Sequence, residues 1–185
     1  MTKIKIYAII GKSGSGKDRL LKEIKKADIF HRFHYVVPTT TRPMRSNEKE
    51  GVDYYFKSSI NEEDMFTLAN YNNWFYGVEK NALSTTKPNL MVCNLISIEQ
   101  LLHRPEVELL VIEVRAKDQT RLVRQLTRAK NADCAEILRR YYAEKIEYEQ
   151  FFQHRSQYNI ISFPNNNKRE LRKIRKSCLH LGKTG

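Results

Sequence analysis

The chain has 185 residues, 41% hydrophobic and 29% charged, which suits one domain with a substantial core and excludes collagen-like and disordered classes. It holds no apolar run long enough to span a bilayer. Its net charge of +12 points to polyanionic ligands, either a nucleic acid or phosphorylated small molecules.

Lys3, Ile4, Lys5 and Ile6 alternate into an apolar Tyr7-Ala8-Ile9-Ile10, which predicts a first strand over residues 4–10 and no signal peptide. Lys17 to Ala27 sets Leu20, Leu21 and Ile24 on one helical face. Phe33 to Val37 reads as a second strand, and residues 38–80 as an irregular, aromatic-rich flap. Leu90 to Leu95 predicts a buried strand, with Ser97 as the cap of a following helix. Glu108 to Val114 is another strand, followed by a helix over Asp118–Ala129. A long helix starts near Asp133 and carries Ile137, Tyr141, Tyr148 and Phe152 at helical spacing. Tyr158 to Phe163 forms a last strand. The tail from Lys168 to Lys176 places Leu171 and Ile174 three apart, the pattern of a solvated terminal helix. Strands alternating with helices imply an α/β fold with a parallel sheet covered on both faces.

Cys93, Cys134 and Cys178 match no zinc or redox spacing, so reduced thiols inside the cell are expected. His31 and His34 lack acidic or thiol neighbours, which argues against a metal site there.

Between the first strand and first helix stands Gly11-Lys12-Ser13-Gly14-Ser15-Gly16-Lys17, a GxxxxGK phosphate loop. Its glycines let the amides curl around phosphate oxygens, the helix N-terminus adds a positive dipole end, and Lys17 reaches the transferring phosphates. The predicted triphosphate site is therefore Gly11, Ser13, Gly14, Ser15, Gly16, Lys17 and Asp18. Asp18 stands where Ser or Thr is usual, and its carboxylate is a hard oxygen ligand for Mg²⁺.

The stretch Thr39 to Phe56 sets Arg42 and Arg45 three apart in a proline-interrupted loop, so both guanidinium forks can meet one dianion, with Tyr54 as a phenolic donor. Thr41, Arg42, Arg45, Glu48, Gly51, Asp53, Tyr54 and Phe56 match T-R-x-x-R-x-x-E-x-x-G-x-D-Y-x-F. That pattern, with Phe75-Tyr76-Gly77 some twenty residues on, resembles the monophosphate-binding signature of guanylate kinases.

The resemblance implies a P-loop NTPase core over 1–37, 88–126 and 138–180 in a single domain, with an acceptor flap at 38–87 and a lid at 127–137. It implies ATP and Mg²⁺ as cofactors, nucleotides as partners, and cytoplasmic nucleotide metabolism in a monomer or homodimer, with no membrane or nucleic-acid role. Arg42, Arg45, Tyr54 and Tyr76, with Thr39 nearby, would hold the acceptor, and Arg124, Arg128 and Arg140 would close on the triphosphate. Arg121 and Arg139 lie close enough to shift that register.

Aligned on Phe75-Tyr76-Gly77, the family's guanine-reading positions fall on Thr67, Val78 and Asn94. None is acidic, although guanine offers N–H donors that suit a carboxylate. The expected activity is a (deoxy)nucleoside monophosphate kinase whose base preference has moved away from guanine. The alternatives are a retained GMP or dGMP kinase, or a non-catalytic phospho-ligand module on the same fold.

Overall fold

A computed structural model of the chain describes residues 3–45, 48–71, 73–128 and 133–182. Its first strand, β1 (Ile4–Ile10), is the centre of the main sheet and is apolar on both faces, as a strand covered from both sides must be. It pairs in parallel with β7 (Asn89–Val92) on one side and β8 (Val107–Arg115) on the other. The sheet is completed by β2 (His34–Tyr35) beside β7 and β9 (Ile160–Pro164) beside β8, all parallel.

Alternate residues of β1 feed two cores. Ile6, Ala8 and Ile10 face Ile98 and Leu101 of α2 (Leu95–Leu102) and Tyr148 and Phe151 of α4 (Cys134–Gln153). Ile9 faces Leu20 and Ile24 of α1 (Lys17–Ala27) and Leu171, Ile174 and Cys178 of α5 (Lys168–Leu181). The tail read from Leu171 and Ile174 is thus a docked helix whose charged side is exposed. Burial of each such Leu or Ile contributes about 1.5–3 kcal/mol.

Three local expectations change. Residues 38–80 are not irregular: β3 (Thr39–Thr40), β4 (Tyr55–Phe56), β5 (Met65–Tyr71) and β6 (Trp74–Glu79) form a four-stranded sheet in the order β4-β3-β6-β5. Two of these strands are two residues long and carry no readable period. In the β5–β6 turn Asn73 has φ 63°, a conformation Asn tolerates. The helix after β7 is capped by Asn94, whose side chain accepts from the Ser97 N–H at 2.8 Å, so Ser97 is the capped residue rather than the cap. The helix α3 (Asp118–Leu126) stops before the expected Ala129, which lies outside the described residues together with 130–132 of the predicted lid. No described helix is long and apolar enough to cross a membrane.

Candidate active site

The phosphate loop leaves β1 and enters α1, and its glycines are placed where side chains cannot go. Gly14 and Gly16 have φ of 77° and 95°, and a Cβ on Gly14 would lie 2.5 Å from the Arg121 carbonyl oxygen. The loop's carbonyls are held from outside. Arg121 Nε donates to Ser13 O at 2.9 Å, and Arg124 Nη1 donates to Gly14 O and Ser15 O at 3.2 and 3.3 Å. Asn165 Nδ2 donates to Ser15 O at 2.8 Å. Within the loop the Ser15 N–H donates to Lys12 O at 3.0 Å, and the N-terminus of α1 adds positive potential where the loop ends. Lys17 is the first residue of α1, and the exposed Asp18 follows it.

Across the cleft, Arg42 is buried in the flap and forms a two-pronged pair with Glu48, both contacts 3.0 Å. Its guanidinium carbon lies 5.5 Å from the Tyr54 ring centre and 5.7 Å from that of Phe56. Glu48 also accepts from the Arg45 N–H at 2.9 Å. Burial opposes ionisation of Glu48, but Arg42 and the Arg45 amide outweigh it and hold the carboxyl below the usual range. Tyr54 packs edge-on against Tyr76 at 6.1 Å. Arg45 is driven below the ordinary arginine pKa by burial and by the like charges of Arg42 and Arg140. Arg42 is thus matched by Glu48, whereas Arg45 keeps an exposed guanidinium whose only carboxylate contact among the described residues is a long one to Glu48 at 3.9 Å.

Loop and flap face each other. Burial and the charge of Asp18 push the Tyr54 phenol up to about 12. Lys22 of α1 meets Asp53 of the flap at 3.0 Å. The lid-register arginines divide: Arg140 donates to Glu136 on its own helix at 2.7 Å, Arg124 supports the phosphate loop, and Arg128 is exposed. Arg121 is 1% exposed and anchors α3, while Arg139 pairs with Glu136 on the surface of α4.

The guanylate kinase family model matches residues 3–167. The chain belongs to the guanylate kinase family. It is 29% identical over 157 residues to the guanylate kinase of Mycoplasma genitalium, covering 79% of this chain and 65% of that protein. It is 35% identical over 97 residues to that of Geobacter metallireducens, covering 52% of this chain and 46% of the relative. The chain therefore spans less than two thirds of the length of these curated relatives. A crystal structure of guanylate kinase from Anaplasma phagocytophilum superposes with a TM-score of 0.59 at 16% identity, covering 99% of this chain and 87% of that one, which establishes the shared fold.

On this guanylate kinase fold the predicted base-side residues occupy the β5–β6 hairpin and the start of α2. Thr67 and Val78 are direct cross-strand partners, both buried, and Val78 joins the core. Thr67 Oγ1 is buried without a hydrogen-bond partner. Asn94 is only partly available, because its Oδ1 caps α2 and leaves the Nδ2 donor. Thr39 is likewise engaged: its hydroxyl donates to Glu79 at 2.7 Å, which pairs with Lys57. Sequence reasoning missed three contributors. Glu48 was legible as part of the motif, but its role as Arg42's counter-ion was not. Asn165, in the loop after β9, and Glu144, on α4, reach the phosphate loop from far along the chain, and nothing in the local sequence signals them.

Proposed function

We propose that the protein is a nucleoside monophosphate kinase, transferring the terminal phosphoryl group of ATP to a (deoxy)nucleoside monophosphate, with base preference shifted away from guanine. The observation that carries this is a phosphate loop whose exit helix is joined to the arginine-bearing flap, Lys22 of α1 meeting Asp53 at 3.0 Å. In this reading the loop amides and Lys17 hold the donor, and Arg42, Arg45, Tyr54 and Tyr76 orient the acceptor phosphate. An acceptor oxygen attacks the terminal phosphorus, and the bridging oxygen departs with ADP. Arg140 and Arg128 stabilise charge on the transferring group. Such positioning supplies most of the catalysis that phosphoryl transfer needs.

Asp18 fits a magnesium ion: it is an exposed carboxylate at the loop's exit, with no ion pair among the described residues. Mg²⁺ takes one or two carboxylates beside phosphate oxygens, and it would neutralise the phosphate charge there.

The shift in base preference rests on the absence of a carboxylate at Thr67, Val78 and Asn94, where guanine's N–H donors would need one. Thr67 and Val78 are buried in the hairpin, and Asn94, whose oxygen caps α2, keeps only its amide donor, which suits a carbonyl edge better than guanine's N–H edge. Each lost charge-assisted hydrogen bond to guanine costs roughly 1.5–3 kcal/mol, so two losses weaken GMP by about 10²-fold or more. Equilibrium titration of GMP against dTMP and dUMP tests this directly. Pyrimidine monophosphates binding more tightly than GMP is the expected result, and GMP binding far more tightly than all of them overturns the shift. Retention of Gly11, Gly16 and Lys17 in a folded loop favours catalysis over a purely phospho-ligand-binding role.

A further inference from the structure

The helix α3 buries a single side chain, and it is a charged one. Arg121 is 1% exposed, whereas Val123 and Leu126 on the same helix are 52% and 44% exposed. Apolar packing therefore does little to seat α3, and the contacts of Arg121 do most of it. Its Nη1 donates to Asp118 at 2.7 Å, its Nη2 to Glu144 of α4 at 2.8 Å, and its Nε to Ser13 O at 2.9 Å. Glu144 in turn accepts from the Ser13 N–H, each oxygen at 2.9 Å, and from the Ser13 hydroxyl. Tyr141, one turn earlier on α4, donates to Asp118 at 2.8 Å, with its ring 5.5 Å from the Arg121 guanidinium carbon.

Ser13 is thus gripped on both sides of its backbone. Its N–H points outward to Glu144 and its carbonyl outward to Arg121, so neither end of the residue is free to rotate. Fixing this residue constrains the segment that follows, where Gly14 has a left-handed φ of 77° with the Arg121 backbone against it and the Ser15 N–H closes back on Lys12 O at 3.0 Å. Glu144 also carries its charge next to Glu147, whose carboxyl is raised by burial and by that neighbour. A carboxylate so close to a phosphate site repels the donor unless Arg121 neutralises it, which explains why the acid and the buried arginine occur as a pair.

We propose that Glu144 and Arg121 are positioning residues for the phosphate donor, acting through Ser13 and tying the two helices that flank the lid, α3 and α4, to the phosphate loop. Neither residue needs to touch the reacting atoms. Their effect falls on the donor side of the reaction and leaves the acceptor seat, built from Arg42, Arg45 and Tyr76 on the flap, unaffected.

The inference rests on the kinase reading, and its test uses both steady-state kinetics and equilibrium ADP binding. In Glu144→Ala the KM for ATP and the Kd for ADP rise about tenfold or more, from loss of the hydrogen bonds to an ionised acceptor and of one of the two carboxylates that Arg121 meets. The KM for the monophosphate stays within about twofold. Glu144→Gln keeps an acceptor oxygen for the Ser13 N–H and restores much of the donor affinity. The double variant Arg121→Met with Glu144→Ala costs less than the sum of its parts, as expected for one coupled unit. Wild-type donor constants in a folded Glu144→Ala protein, or donor and acceptor constants rising together, overturn the proposal. If the unmodified protein shows no turnover, the kinase reading fails on its own, while ADP affinity in the same variants still decides the role of Glu144.

Discussion

Arg42 meets Glu48 with both side chains 10% exposed, so this is a desolvated pair whose two halves depend on each other. Removing one charge leaves the other buried and uncompensated, which typically costs about 3–5 kcal/mol. Glu48→Gln is therefore expected to destabilise the protein by about 3 kcal/mol at neutral pH, measured by denaturant unfolding. The pH dependence has a definite sign. The folded carboxyl of Glu48 titrates below its ordinary value, so its contribution is full above the ordinary carboxylate range and disappears as pH falls through the depressed value. The stability gap between wild type and Glu48→Gln should hold at pH 6–8 and shrink only in more acidic solution, below about pH 4. A gap that is constant down to the acid limit would show that the pair does not titrate as described.

At the scale of elements, the phosphate loop and α3 act as one unit. A methyl group on Gly14 would need a positive φ and would lie 2.5 Å from the Arg121 carbonyl oxygen. Gly14→Ala is therefore expected to weaken ADP binding by at least tenfold, because the loop and α3 must separate, while monophosphate binding persists. Unchanged ADP affinity in calorimetric titration would refute that coupling. The same elements mark what could be read from sequence. The ends of β1 and α1 were legible at Ile4, Ile10, Lys17 and Ala27, because strand periodicity, a glycine-rich turn and helical periodicity all agree there. The flap sheet was not, since β3 and β4 are too short for a pattern and their pairing is non-local. Arginines 42 and 45 announced themselves through their spacing in a recognisable stretch. Arg121 did not, because a buried anchor and a solvent-facing lid arginine look the same in a helical sequence. Glu144 lies 131 residues from Ser13, a contact that only the tertiary fold creates.

For the molecule as a whole, the basic excess is distributed differently from what the motifs suggest. The α1 helix carries five Lys and Arg against two acids, and α5 carries six against one, a net +8 of the chain's +12. Most of this charge projects from two parallel-packed helices on one face of the sheet rather than lining the cleft. It can still draw polyanionic nucleotides toward the molecule through the long-range field. Flap and core are joined by the ion pair of Lys22 with Asp53 at 3.0 Å, which in the proposed reading holds donor and acceptor sides together. The most direct test of this arrangement is a coupled ADP-release assay with ATP and Mg²⁺ across ribo- and deoxynucleoside monophosphates, run beside Lys17→Ala. Turnover with a non-guanine monophosphate, lost in Lys17→Ala, is the predicted result; silence across the whole panel, or turnover that survives Lys17→Ala, would contradict it.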